Sequence, residues 1–175
     1  MEIVAFNAVG KTAREVTLEF SGQSDLDRRG TLHILSIGVN KYLNFPGQEL
    51  DFAETDASGL RDILVKRAGS LYSKVDSRLF ATEGGLPPTA ANLRAVLKDL
   101  NKSGPQDTLV VFLAGHGINE GPDYLFLPTD ATANKGKLDR STVISWRDLN
   151  EIIESAHGER ILLVACVSNC NSVAM

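Results

Sequence analysis

From Thr31 onward the chain alternates β-prone and helix-periodic segments, which predicts an α/β fold: a mostly parallel sheet flanked by helices on both faces. A second observation supports it. The segments Leu32–Val39 and Thr108–Leu113 have the apolar character of buried strands. A third sets the first thirty residues apart: the β-prone runs Ile3–Phe6 and Val16–Phe20 surround the turn-like Asn7-Ala8-Val9-Gly10, a short N-terminal β-hairpin appendage.

Each element follows from a local signal. The polar stretch 21–30 is a linker, and because an isolated hairpin is marginal in water, residues 1–30 read as the tail of a preceding domain and 31–175 as the main domain. After strand Leu32–Val39, a helix is expected over Leu50–Ala68, with Ala53, Ala57, Leu60, Ile63 and Leu64 on one face. Val75–Ala81 is a weaker strand. Pro87-Pro88 stops the chain, and Thr89 caps a helix whose apolar face is Leu93, Val96, Leu97 and Leu100. The strongest strand, Thr108–Leu113, is expected to end at Gly115-His116-Gly117, with a short extended piece at Tyr124–Leu127. Ser145 caps another helix, with Asp148 in the favourable first turn and Leu149, Ile152 and Ile153 facing inward. Ile161–Val164 is the last strand.

Composition narrows the function classes. With 175 residues, 43% of them hydrophobic, the chain can bury a core without disulfide or metal staples. A net charge of −4 implies no field suited to nucleic acid. The longest apolar run, Ile161–Val167, is far short of the roughly 18 residues a membrane span needs. The two cysteines, Cys166 and Cys170, could close only a tiny loop, so a reducing, cytoplasmic setting is the default. Neither the phosphate-binding loop nor the dinucleotide glycine pattern occurs.

In open α/β sheets, ligands bind beyond the carboxyl ends of the strands. Two predicted strands lead into reactive side chains there: Thr108–Leu113 into His116 and Ile161–Val164 into Cys166. If those strands are neighbours, thiol and imidazole share a crevice, as a nucleophile and its base require. His33 reads as a packed or surface residue and His157 as a helix-end imidazole.

The run Val110–Gly117, then Tyr124–Asp130, then Arg160–Val164, resembles the caspase–metacaspase family of cysteine peptidases. Leu32–Val39 with Asn40 and Tyr42, followed by Leu50–Ala57, resembles its bacterial metacaspase-type branch. The 50-residue interval from His116 to Cys166 matches the roughly 50 residues typical of caspases. The resemblance implies a three-layer caspase-like fold, with His116 as general base, Gly117 at the oxyanion site and a cysteine after the last strand as nucleophile. It also implies that Asp56 helps bind a basic residue before the cut, giving cleavage after Arg or Lys. No cofactor or metal is required, and a calcium requirement is raised only by the resemblance. The implied partner is a peptide or protein substrate, with no nucleic acid and no membrane.

Two departures accompany the match. The family pattern carries an Asp two positions before the nucleophile, where this chain reads Val164-Ala165-Cys166-Val167-Ser168-Asn169-Cys170. One alignment places Cys166 at the nucleophile and Val164 at the Asp; the other places Val167 at the nucleophile. Family members also continue further, so the domain reads as C-terminally incomplete, completed by a missing segment or a partner chain. Two functions are therefore expected: a Cys166–His116 endopeptidase, or an inactive caspase-like protein-interaction module.

Overall fold

The elements follow the expected alternation in a computed structural model, which describes residues 2–3, 16–17, 29–69, 71–157 and 160–169. In chain order they are β1 (Glu2–Ile3), β2 (Val16–Thr17), β3 (Thr31–Gly38), α1 (Ala53–Ala68), β4 (Lys74–Phe80), α2 (Ala90–Asp99), β5 (Thr108–Glu120), β6 (Asp123–Phe126), β7 (Ala133–Asn134), β8 (Lys137–Leu138), β9 (Ile144–Ser145), α3 (Trp146–Ser155) and β10 (Arg160–Asn169). β1 pairs antiparallel with β2, as a hairpin requires. The rest of the predicted hairpin and linker, apart from Arg29 and Gly30, lies outside the described residues.

The main sheet is built on β5. It pairs in parallel with β3 through residues 108–114 and with β10 through residues 108–117. β4 adds in parallel to the outer edge of β3. β6 joins β5 antiparallel over Gly117–Glu120, and β9 joins β6 antiparallel. At Gly117 both β6 and β10 are partners, so β6 must occupy the edge that β3 has vacated.

Alternation along β5 divides the core into two layers. Leu109, Val111 and Leu113 pack with Leu93, Val96 and Leu97 of α2 and Leu149 of α3, whereas Phe112 and Ala114 pack with Ala53 and Ala57 of α1. Helices therefore cover both faces, the predicted three-layer arrangement. The caps are those the sequence signals. Thr89 accepts the Asn92 amide, while Ser145 and Asp148 form a reciprocal box, each side chain bonded to the other's backbone N–H at 3.1 and 3.0 Å.

α1 departs from expectation. It begins at Ala53, because the Leu50 amide is held by the Asn40 carbonyl at 2.8 Å and the Glu54 amide by the Asn40 side-chain oxygen at 3.1 Å. Its buried face is alanine-based (Ala53, Ala57, Ala68), and Ile63 is 60% exposed rather than packed. Small residues let the helix sit close to the sheet: a Cβ at Gly38 would lie 2.5 Å from the Ala53 carbonyl oxygen. The side chains of Ile152 and Ile153 lie outside the described residues.

At the opposite end of the sheet, Asp107 ties the start of β3 to the loop before β5. It accepts the Thr31 and Gly104 amides at 2.7 Å each, and faces His33 Nε2 at 3.2 Å. Burial opposes ionisation of this carboxyl, but these donors outweigh it and hold its pKa below the ordinary 3.8. A depressed folded-state pKa stabilises the fold above the unfolded value and loses that contribution as pH falls through the folded one. We predict that Asp107→Asn lowers stability by about 1–3 kcal/mol at neutral pH, measured by urea unfolding, and that the deficit shrinks as pH falls below about 4.

Candidate active site

Both strands expected to end before the reactive residues run through them. β5 continues past Gly115-His116-Gly117 to Glu120, and β10 extends to Asn169. The glycines that read as strand terminators are accommodated inside a ladder, because β6 takes over from β3 and supplies the pairing that prolongs β5. β10 pairs with the prolonged β5, with Cys166 opposite Ala114, Val167 opposite Gly115 and Ser168 opposite His116.

That register brings His116 and Cys166 onto adjacent strands, offset by two residues. For parallel strands about 4.8 Å apart rising about 3.3 Å per residue, their Cα atoms lie about 8 Å apart. Cys166 and Ser168 hold the register positions of Ala114 and His116, and Val167 holds that of Gly115. Cys170 lies outside the described residues.

His116 is 7% exposed and held from several directions by the segment between β3 and α1. Its Nε2 lies 2.8 Å from the Gln48 carbonyl oxygen. A carbonyl only accepts, so in this arrangement Nε2 carries the proton and Nδ1 of the neutral ring is the nitrogen able to take one. The His116 backbone N–H donates to the Tyr42 hydroxyl at 2.7 Å, and the Tyr42 ring lies 4.9 Å from the imidazole between centroids. The His116 carbonyl accepts the Leu127 amide at 3.0 Å.

Gly117 has a steric reason to be glycine as well as an expected catalytic one. A Cβ there would lie 1.6 Å from the Tyr124 hydroxyl oxygen. The expected substrate carboxylate, Asp56, sits exposed in the first turn of α1 and makes no ion pair among the described residues. The other two histidines lie elsewhere, with His33 between Asp76 and Asp107 and His157 exposed just after α3.

Gln48 is not identifiable from the sequence, because its contribution is a main-chain oxygen and carries no residue signature. Asn40 and Tyr42, which carry part of the family resemblance, are links from the loop into α1 and β5. The Leu127–Asp130 segment is equally structural. Thr129 donates to the Lys41 carbonyl and accepts the Leu43 amide through its own carbonyl, and Asp130 accepts the Ala90 amide at the start of α2.

A family model described as Caspase domain matches residues 32–169, most of the chain. Among solved structures, protein GSU0716 from Geobacter sulfurreducens aligns with a TM-score of 0.57 and 17% identity, over 80% of this chain and 51% of that one. At that identity the likeness shows the fold alone, and the chain spans about half the length of that structure. No curated protein matches.

The close approach of Tyr124 to Gly117 can be tested directly. We predict that Gly117→Ala destabilises the protein by about 1–3 kcal/mol, as overpacking of a dense core does. Tyr124→Leu in the same chain should make the two changes non-additive, because the clashing ring is gone; strict additivity in thermal unfolding would contradict the steric account.

Proposed function

The chain belongs to the caspase-domain family of cysteine peptidases, and from that membership and the register of β5 against β10 we propose that it is a cysteine endopeptidase acting through Cys166 and His116. The carrying observation is the register itself. It supports the alignment with Cys166, rather than Val167, at the nucleophile, because Cys166 shares the alternation of His116.

The chemistry follows from the geometry around the imidazole. Gln48 holds the ring with Nε2 protonated, leaving Nδ1 to accept the thiol proton. The thiolate attacks the scissile carbonyl carbon, and the oxygen that gains charge is stabilised by backbone N–H groups near Gly117 and Cys166. The imidazolium then protonates the leaving amine, giving an acyl-enzyme that water hydrolyses with the same ring as base. Asp56, exposed and unpaired among the described residues, supplies a carboxylate for a basic residue before the cut. Without the second acidic residue, at the position of Val164, one carboxylate rather than two faces the basic side chain, and recognition is correspondingly weaker.

Substrates of a peptidase family are peptides or proteins. The outer edge of β10 has no strand partner among the described residues, and we propose that a further segment or partner chain pairs there. No helix among the described residues is long and apolar enough to cross a membrane.

The decisive variants are Cys166→Ala and His116→Ala. Each should reduce hydrolysis of an Arg- or Lys-ended peptide substrate by about 10²-fold or more. Asp56→Asn should raise KM for basic peptides with a smaller effect on kcat. A thiol-reactive peptide with a basic end residue should label Cys166. Full activity in Cys166→Ala would reject the proposal, and folded wild-type protein that neither hydrolyses nor is labelled would favour the interaction-module reading.

A further inference from the structure

The edge of β5 at His116 poses a hydrogen-bonding problem that the fold solves with a side chain. β3 pairs with β5 as far as Gly38 opposite Ala114, and along β5 the pairing with β6 begins at Gly117, opposite Phe126. Between them lies a gap on one edge of a buried strand, and the catalytic imidazole is borne by a residue inside it. A buried backbone group left without a partner there would be costly.

The gap is closed in three steps along that edge. The Val39 amide donates to the Ala114 carbonyl at 3.0 Å, continuing the β3 ladder by one rung. The His116 amide next donates to the Tyr42 hydroxyl at 2.7 Å, and the Leu127 amide then donates to the His116 carbonyl at 3.0 Å, handing the strand to the β6 side. The Tyr42 hydroxyl also donates to the Val39 carbonyl at 3.1 Å. One oxygen thus accepts from β5 and donates to the end of β3, as a backbone peptide would.

The surroundings are shaped to this hydroxyl. A Cβ at Gly115 would lie 3.0 Å from the Tyr42 oxygen, so the glycine before His116 leaves it room. The residues on either side of Tyr42 are pinned to Thr129, by its hydroxyl to the Lys41 carbonyl at 2.7 Å and by its carbonyl to the Leu43 amide at 2.9 Å. The same loop then delivers the Gln48 carbonyl to the His116 ring. Backbone and ring of His116 are therefore oriented by two points of one loop.

We infer that Tyr42 is a positioning residue for the catalytic base, its hydroxyl standing in for a missing strand partner so that His116 presents Nδ1 to the nucleophile. This rests on the Cys166–His116 reading for its effect on rate, but not for its effect on the imidazole. The test compares wild type, Tyr42→Phe and Thr129→Val, each checked for folding by circular dichroism, with two readouts.

The first readout is the ¹⁵N resonances of the His116 ring, assigned by their loss in His116→Ala. Wild type should show the Nε2–H tautomer, and Tyr42→Phe, which keeps the ring but removes the hydroxyl, should show a mixture. The second is hydrolysis of a basic peptide, where Tyr42→Phe should lower kcat about tenfold with KM nearly unchanged, the pattern of a lost transition-state alignment. Thr129→Val should move both in the same direction by less, and serves alone if Tyr42→Phe does not fold. A folded Tyr42→Phe with wild-type tautomer signals overturns the inference, as does an unchanged kcat in an enzyme that His116→Ala inactivates. If His116→Ala leaves hydrolysis intact, the catalytic reading fails, while the tautomer signals still decide the role of Tyr42.

Discussion

Parallel pairing of β5 with β10 is the constraint on which the site depends. It places two residues separated by 50 positions in the chain on neighbouring strands, and it does so through main-chain hydrogen bonds that are indifferent to side-chain identity. The side chains of Cys166 and His116 are not what sets that pairing. They are carried by a ladder whose stability comes from the apolar layers on either side of β5, with α1 against one face and α2 and α3 against the other. The candidate site and the stability of the sheet are thus drawn from different side chains of the same strands.

The second constraint is local. A strand that outlives its neighbour must find new partners, and β5 does this in the space of three residues centred on His116. An unpaired buried amide costs about 1–3 kcal/mol, so the loop between β3 and α1 contributes to the fold as well as to the site. Asn40 fastens that loop to the first turn of α1, and Thr129 fastens it to the segment after β6. Several positions that look like scattered polar residues in the sequence form one frame around the imidazole.

The layered fold was legible in the sequence because its signals are periodic: alternation in the strands, a four-residue apolar rhythm in α2, and side-chain caps at Thr89 and Ser145. The ends of β5 and β10 were not. Gly115 and Gly117 carry the composition of a turn, and only the arrival of β6 on the vacated edge makes them part of a strand. The register of the final segment was ambiguous for the same reason, since a slip by one residue leaves composition unchanged but moves Val167 into the place of Cys166. The exposure of Ile63 is not legible either, because helix periodicity identifies a face but not how closely alanines let that face approach the sheet. Gln48 left no trace at all, since any residue offers the same carbonyl.

The most direct test of the account is the pH dependence of Cys166 alkylation, followed by mass spectrometry of the peptide that bears it. A thiol beside an imidazole ionises below the usual value of about 8.5. The account predicts rapid alkylation with a midpoint well under that value, shifted up to the ordinary range by His116→Ala. A profile with an ordinary midpoint, identical in wild type and His116→Ala, would contradict it.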